Sequence, residues 1–295
     1  MIENKNVLWI TTRNPNSYIL RKIADRGVRV LNPIKKKSFF QKIIRKFSYS
    51  VSLLSKFWYL DEICDQKSFD LIFVEYSLVL FGCVPLLRMQ NPQAKIVIWN
   101  ENPIKGKFFG SRLRSYQVLF SSFDKRDCLK YQMFYNNDFL FSDMKLSASK
   151  EKTIDFLFVG QDKGRKKEIN KLTHDLQNWG FSVYLKIPRK KKDYIKYEDY
   201  LELITKSRVL IDITQKGQYG LSLRPLEALY AQTKLLTNNC AIQQMDYYND
   251  ANVFVLHKCS LKKDEITAFV KSPYQKQSES VMLLHDFSSW IKKYL

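Results

Sequence analysis

Short apolar runs alternate with amphipathic stretches along the whole chain. Residues 7–11 (VLWIT) are apolar and end in polar side chains, which predicts a buried parallel strand. Helical spacing over 18–26 follows and stops at Gly27, a residue suited to a helix C-cap. Further strands are predicted at 28–31, 70–75 (DLIFVE) and 95–99 (KIVIW), with an apolar helix over 78–89 closed by Asn91-Pro92. The pattern restarts at 153–160 (TIDFLFVG). A helix over 166–179 then runs up to Gly180, and a strand over 182–186 leads through a lysine-rich loop to a helix at 197–205. Strands at 208–213, 234–237 and 253–256 and a helix over 224–231 complete the second series, and one amphipathic helix is predicted over 278–294.

Strands that alternate with helices imply parallel sheets, because parallel strands need crossover connections. The fold class is therefore α/β, with two units in tandem. The polar stretch 136–152 separates them, and the expected domains are 1–145, 146–277 and a C-terminal helix over 278–295. Open α/β sheets bind ligands outside the carboxyl ends of their strands. Two such units set their strand ends about one cleft, so the residues just after each strand are the candidates for chemistry.

Composition narrows the partners. The chain has 295 residues, 45% hydrophobic and 14% aromatic, which marks a folded globular protein. Its net charge of +20 attracts polyanions: phosphorylated substrates, anionic lipid or nucleic acid. Cys64, Cys83, Cys128, Cys240 and Cys259 are dispersed without a C-x-x-C pair, as expected of reduced thiols, and the three histidines lie far apart. The N-terminus carries Glu3 and only a short apolar run, so no signal peptide is expected, and no apolar run reaches the roughly 18 residues that span a bilayer. The expected location is cytoplasmic.

Two loops in the second half carry phosphate-binding chemistry. After the strand at 153–160, Gly160 permits close backbone approach, while Lys163 and Arg165 bring charge to a helix start. The bland alternative is an ordinary turn with surface cations. After the strand at 208–213, Gly220, Leu221 and Ser222 precede a helix with Pro225 in its first turn, where backbone amides can face a diphosphate. Arg224 is placed to neutralise a leaving group and Glu227 to hold a sugar or ribose hydroxyl; the alternative reads both as partners of the helix dipole and solvent. In the first half the strand-end residues Thr11, Arg13 and Asn100 are candidate acceptor contacts. Glu101 and Glu75 are the carboxylates placed for general-base work, each with a structural hydrogen bond as the alternative role. Asp124 reads as the N-cap of a segment over 125–131.

From Lys35 to Leu60 the chain is basic and amphipathic, with no acid before Asp61 and apolar residues at three- and four-residue steps. Such a helix can lie on an anionic membrane, or pack on the first sheet with a solvated basic face.

Three segments resemble one family. SRVLIDITQKGQYGLSLRPLEALYAQTKLLTNN is similar to the donor-binding region of glycosyltransferases of the GT-B type, above all small bacterial enzymes of lipopolysaccharide and capsule assembly. SSFDKRDCLKY (121–131) and DFLFVGQDKGR (155–165) resemble the same group. The resemblance implies two Rossmann-like domains, an acceptor domain followed by a nucleotide-sugar domain, with the last helix returning to the first. It implies that Glu227 contacts the donor and that Lys163, Arg165 and Arg224 lie by its diphosphate. It also implies a lipid-linked saccharide acceptor and peripheral attachment to the inner face of the cytoplasmic membrane. Tyr219 stands eight residues before Glu227, where many retaining members carry a second glutamate, so the stereochemical outcome is left open. No D-x-D triplet occurs, so neither a metal nor another cofactor is expected. The rival reading is a basic nucleic-acid-binding α/β protein, which would want helix-turn-helix, zinc-finger or RNP signals that the chain lacks. A dinucleotide oxidoreductase would want glycines after the first strand, and that turn has none.

Overall fold

The computed structural model describes residues 5–34, 59, 62–63, 68–144, 146, 151–256 and 261–295. The amphipathic stretch from Lys35 to Leu60 lies outside the described residues apart from Tyr59. The chain divides into two compact units, one of Met1–Asn136 with Ile291–Leu295 and one of Asn137–Trp290.

The first unit is a parallel sheet of β1 (Val7–Ile10), β2 (Arg29–Leu31), β3 (Leu71–Glu75), β4 (Lys95–Asn100), β5 (Val118–Ser122) and β6 (Phe134–Tyr135), in the order β2-β1-β3-β4-β5-β6. β3 is buried at every position, which explains its unbroken apolar run. Helix α1 (Tyr18–Ala24) ends before Gly27, whose φ of +84° only glycine adopts at little cost. The apolar helix expected over 78–89 is two, α2 (Leu78–Phe81) and α3 (Val84–Gln90). Pro85 lies in the first turn of α3; its missing N–H cannot continue the preceding ladder, so the helix restarts there. Strand β5 was not legible in the sequence, because its apolar run stops at Phe120 and the strand continues into Ser121 and Ser122. Asp124 caps α4 (Lys125–Tyr131), accepting from the Arg126 amide at 2.9 Å. The C-terminal residues add to this unit: the Tyr294 hydroxyl bonds Ser121 Oγ at 2.7 Å and its ring meets Phe73 edge-on.

The second unit has β7 (Ile154–Val159), α5 (Lys166–Asn178), β8 (Val183–Lys186), α6 (Tyr197–Thr205), β9 (Ser207–Asp212), α7 (Arg224–Tyr230), β10 (Lys234–Thr237), β11 (Val253–Val255) and α8 (Lys263–Lys271). All its strands are parallel, in the order β11-β10-β9-β7-β8. The helix expected over 278–294 is broken into α9 (Glu279–Leu284) and α10 (Phe287–Lys292). The break is held by Leu140, whose N–H donates to His285 O at 3.1 Å and whose carbonyl accepts from Phe287 at 2.8 Å. The Asp286 carboxylate accepts from the amides of Ser142 and Ser288. These long-range bonds outweigh the local helical periodicity.

Both sheets are doubly wound, with the first strand of each between its second and third. The switch point falls between β1 and β3 in one unit and between β7 and β9 in the other, where a crevice opens at the strand ends.

Candidate active site

In the second unit the loops after β7 and β9 leave the sheet side by side. Gly160 opens the first and Asp212 immediately precedes the second. Two guanidinium groups meet here. Arg224 Nη2 donates to Val159 O at 2.7 Å, and its Nη1 lies 3.4 Å from Asp212 Oδ1. Arg165 Nη1 donates to the Ile213 carbonyl, and both cations sit over the Phe158 ring at 5.4 and 5.0 Å. A Cβ at position 160 would lie 2.5 Å from Arg224 Nη2 and 3.4 Å from Arg165 Nη2, so glycine is what lets the two heads converge. Burial, and then Arg224 beside it, pulls Arg165 down to about 10. Burial acts on Arg224 in the same direction, but Tyr200, Asp212 and Glu227 together hold it above the usual arginine range. The Nε atoms of both arginines are buried and have no hydrogen-bond partner.

Acidic groups balance the pair. Asp212 is fully buried and accepts from Ser222 Oγ at 2.8 Å and Thr237 Oγ1 at 3.0 Å. Glu227 is only 3% exposed; Tyr197 donates to its Oε1 at 2.7 Å and Tyr200 to its Oε2 at 2.8 Å. Burial raises the Glu227 carboxyl above its ordinary range, opposed by Arg224 and the two tyrosines. The polar loop between Asp212 and Arg224 is tied to the end of β10. Asn238 Oδ1 accepts from Thr214 N–H, and Asn239 Nδ2 reaches the carbonyls of Tyr219 and Gly220. Gly220 is buried, Leu221 is half-buried, and the Ser222 hydroxyl is turned to Asp212.

Arg224, Arg165, Gly160 and Glu227 thus come together, but not all as the sequence suggested. Arg165 and Arg224 are built into the site rather than lying on the surface. Lys163 is exposed, at a φ of +46°. The helix start beside it is already occupied: Asp162 Oδ1 accepts from the amides of Gly164 and Lys166 at 3.1 and 2.9 Å. The protein's own carboxylate takes the anion position expected there. Sequence reasoning missed Tyr197, Tyr200, Phe158 and Thr237, and passed over Asp212 as a strand end. The i,i+3 spacing of the two tyrosines on α6 was the available signal.

In the first unit a cavity of about 460 Å³ opens at the switch point, lined by residues that follow β1, β3 and β4. Its floor is Glu75, buried and accepting from Trp9 Nε1 at 3.2 Å, Thr11 Oγ1 at 2.6 Å, Arg13 Nε at 3.0 Å and Arg13 Nη2. Thr11 is fully buried against this carboxylate and is not among the residues lining the cavity, while Thr12 and Arg13 are. Arg13 Nη2 also lies 3.4 Å from Glu101 Oε2, and Glu101 keeps a third of its side chain exposed. Asn100 is 3% exposed; its Oδ1 accepts from the Asn102 amide, but its Nδ2 has no partner. A buried donor without an acceptor is costly, and Asn100 is among the residues that line the cavity.

No protein-family model matches the chain, and no curated protein matches it. Solved structures do. A crystal structure of AviGT4, a glycosyltransferase involved in avilamycin A biosynthesis, matches with a TM-score of 0.53 at 9% identity, over 98% of this chain and 96% of that one. The chain has the GT-B fold. A glycotransferase of kitacinnamycin matches with a TM-score of 0.44 at 10% identity, over 100% of this chain and 95% of that one. The paired arginines and Glu227 lie in one compact unit of the chain and the Glu75–Glu101–Asn100 cavity in the other.

Proposed function

We propose that the protein is a glycosyltransferase that moves a sugar from a nucleotide-sugar donor to a saccharide acceptor. The observation that carries the reading is the convergence of Arg165 and Arg224 at Gly160, beside Glu227 and at the switch point of the second sheet. Two neighbouring guanidiniums, converging at Gly160, suit the charge of a nucleoside diphosphate. As the bond from the anomeric carbon to the phosphate oxygen breaks, that charge grows, and preorganised cations stabilise it. The absence of a D-x-D triplet from the sequence supports neutralisation by arginine rather than by a chelated metal. Glu227 accepts a hydrogen bond from a donor hydroxyl. The acceptor occupies the first-unit cavity, where Asn100 Nδ2 takes one of its oxygens and Glu101 accepts the proton of the attacking hydroxyl. Glu75, already holding Trp9, Thr11 and Arg13, positions Arg13 and is a poor base.

The resemblance of three segments to lipopolysaccharide and capsule enzymes supports a place in bacterial surface-polysaccharide assembly, with a lipid-linked acceptor and peripheral attachment at the cytoplasmic face of the membrane. Among the described residues no helix is long and apolar enough to cross a membrane.

Calorimetry and thermal shift against UDP-, GDP-, CMP- and dTDP-sugars test the donor site. One nucleotide class is expected to stabilise the protein, and Gly160→Ala, which pushes Arg224 aside, is expected to weaken that binding about 10-fold or more, the worth of one charge-assisted hydrogen bond. Absence of binding by every nucleotide sugar sinks the proposal.

A further inference from the structure

The segment that rims the first-unit cavity continues into an unusual surface. From Lys105 to Tyr135 there are seven cations, Lys105, Lys107, Arg112, Arg114, Lys125, Arg126 and Lys130, and two acids, Asp124 and Asp127. All seven cations are exposed and both acids are buried. The acids are spent internally: Asp124 caps α4, and Asp127 Oδ2 accepts from the Ile104 amide at 2.8 Å. The two parts of this segment form one face. Arg114 Nη2 donates to Tyr131 O at 2.8 Å, the Tyr131 hydroxyl donates to Gly106 O at 3.3 Å, and the rings of Phe108 and Tyr131 stack at 4.9 Å.

Apolar side chains stand among the charges. Leu129 is 85% exposed and follows Lys125 and Arg126 by four and three residues, so it shares their side of α4 while Asp127 and Cys128 face inward. Phe109 is 43% exposed at the cavity rim. A solvated face has no use for a bare leucine ringed by cations; a membrane interface uses both, the cations for anionic headgroups and the apolar groups for the acyl boundary.

We propose that the face made by residues 105–114 and α4 docks on an anionic lipid bilayer, which sets the cavity mouth at the membrane surface. Its residues are separate in sequence from the stretch between Lys35 and Leu60. Its purpose rests on the reading of the cavity as the acceptor site, but its evidence does not. A phosphate backbone offers the same charge without an apolar phase to receive Leu129 and Phe109, so a bilayer is the better match.

The test is flotation of the full chain with vesicles of phosphatidylcholine alone and of phosphatidylcholine mixed with phosphatidylglycerol. The wild type should float only with the anionic vesicles, and less so as salt rises. The triple variant Arg112→Glu/Arg126→Glu/Lys130→Glu should lose on the order of 100-fold in binding, at about five-fold per cation removed. Leu129→Ser should lose several-fold while keeping its thermal midpoint. Arg189→Glu/Lys190→Glu/Lys191→Glu, an equal charge change on the second unit, should float as the wild type does. Equal flotation of the first triple variant and wild type overturns the proposal, as does tight binding of the wild type to duplex DNA with none to anionic vesicles. The assay contains neither donor nor acceptor, so its failure leaves the transferase reading standing, and absence of nucleotide-sugar binding leaves the docking face standing.

Discussion

The Tyr200 hydroxyl donates to Glu227 Oε2 across 2.8 Å, inside the second unit and out of contact with bulk water. Tyr197 holds the other oxygen from a half-exposed position on the same helix. Both lone-pair directions that remain on this carboxylate are thereby aimed, and its orientation is set before any ligand arrives. Tyr200→Phe leaves Oε2 without that donor and should cost about 1–3 kcal/mol in urea unfolding. Tyr197→Phe should cost less, since water can replace its hydroxyl. In a Glu227→Gln background the Tyr200→Phe cost should shrink, and a double-mutant cycle that shows no coupling refutes the pairing.

Asn100 presents the opposite case, a buried amide with an unused donor. Asn100→Ala removes an unpaired donor together with a long 3.4 Å acceptor contact to the Asn102 amide, so the thermal midpoint should change little. The acceptor KM should climb about 3- to 10-fold, the value of one neutral hydrogen bond. A variant that loses stability and leaves KM unchanged would show that the amide serves the fold alone.

The two carboxylates of the first-unit cavity should separate cleanly. Glu75→Gln strips Arg13 of its buried partner and disturbs bonds from Trp9 and Thr11, so it should cost about 1.5–3 kcal/mol of stability. Glu101→Gln, half-exposed, should leave the melting curve nearly unchanged and lower kcat by about 10²–10⁴ if it is the base. Equal kcat for Glu101→Gln and wild type removes Glu101 from that role.

Lys234 predicts a pH dependence. Its Nζ donates to Phe269 O and, at 2.6 Å each, to the carbonyl and hydroxyl of Ser272, and burial lowers it from 10.5 to about 8. Between about pH 8 and 10.5 the unfolded chain holds a proton that the folded chain has released, so this group's contribution to stability rises with pH through that window and is flat below it. Buried Cys83, pushed up to about 12, acts in the reverse sense above about pH 9. The wild type should therefore be compared with Lys234→Met, which shares the Cys83 effect. The wild-type advantage in urea midpoint should widen from pH 7.5 to 9.5, and a constant gap would contradict the lowered value.

Much of the fold was legible because period and caps are local properties. Helix α6 and strand β10 lie where the hydrophobic pattern puts them, α1 and α5 end just before Gly27 and Gly180, and Asp124 caps the helix it precedes. The helix breaks at Gly82–Pro85 and at His285–Asp286 were not, because each is secured by a partner far away in the chain or by a missing N–H that periodicity ignores.

The same division runs through the sites. The sequence by itself determined that a glycine and two arginines follow the strand ends of the second unit, that Glu227 lies one turn into a helix, and that the chain carries a large positive charge. Only the tertiary structure decided that β7 lies beside β9, since strand order depends on pairings across some fifty residues. That adjacency carries both Arg165 and Arg224 over the Phe158 ring, with Tyr197 and Tyr200 on Glu227 and Asp212 fully buried beside Arg224. In the first unit, packing buries Thr11 against Glu75, while Arg13 reaches from Glu75 to Glu101 at the cavity. Residue type sets what chemistry is available, and side-chain direction, which only packing fixes, sets which groups can use it.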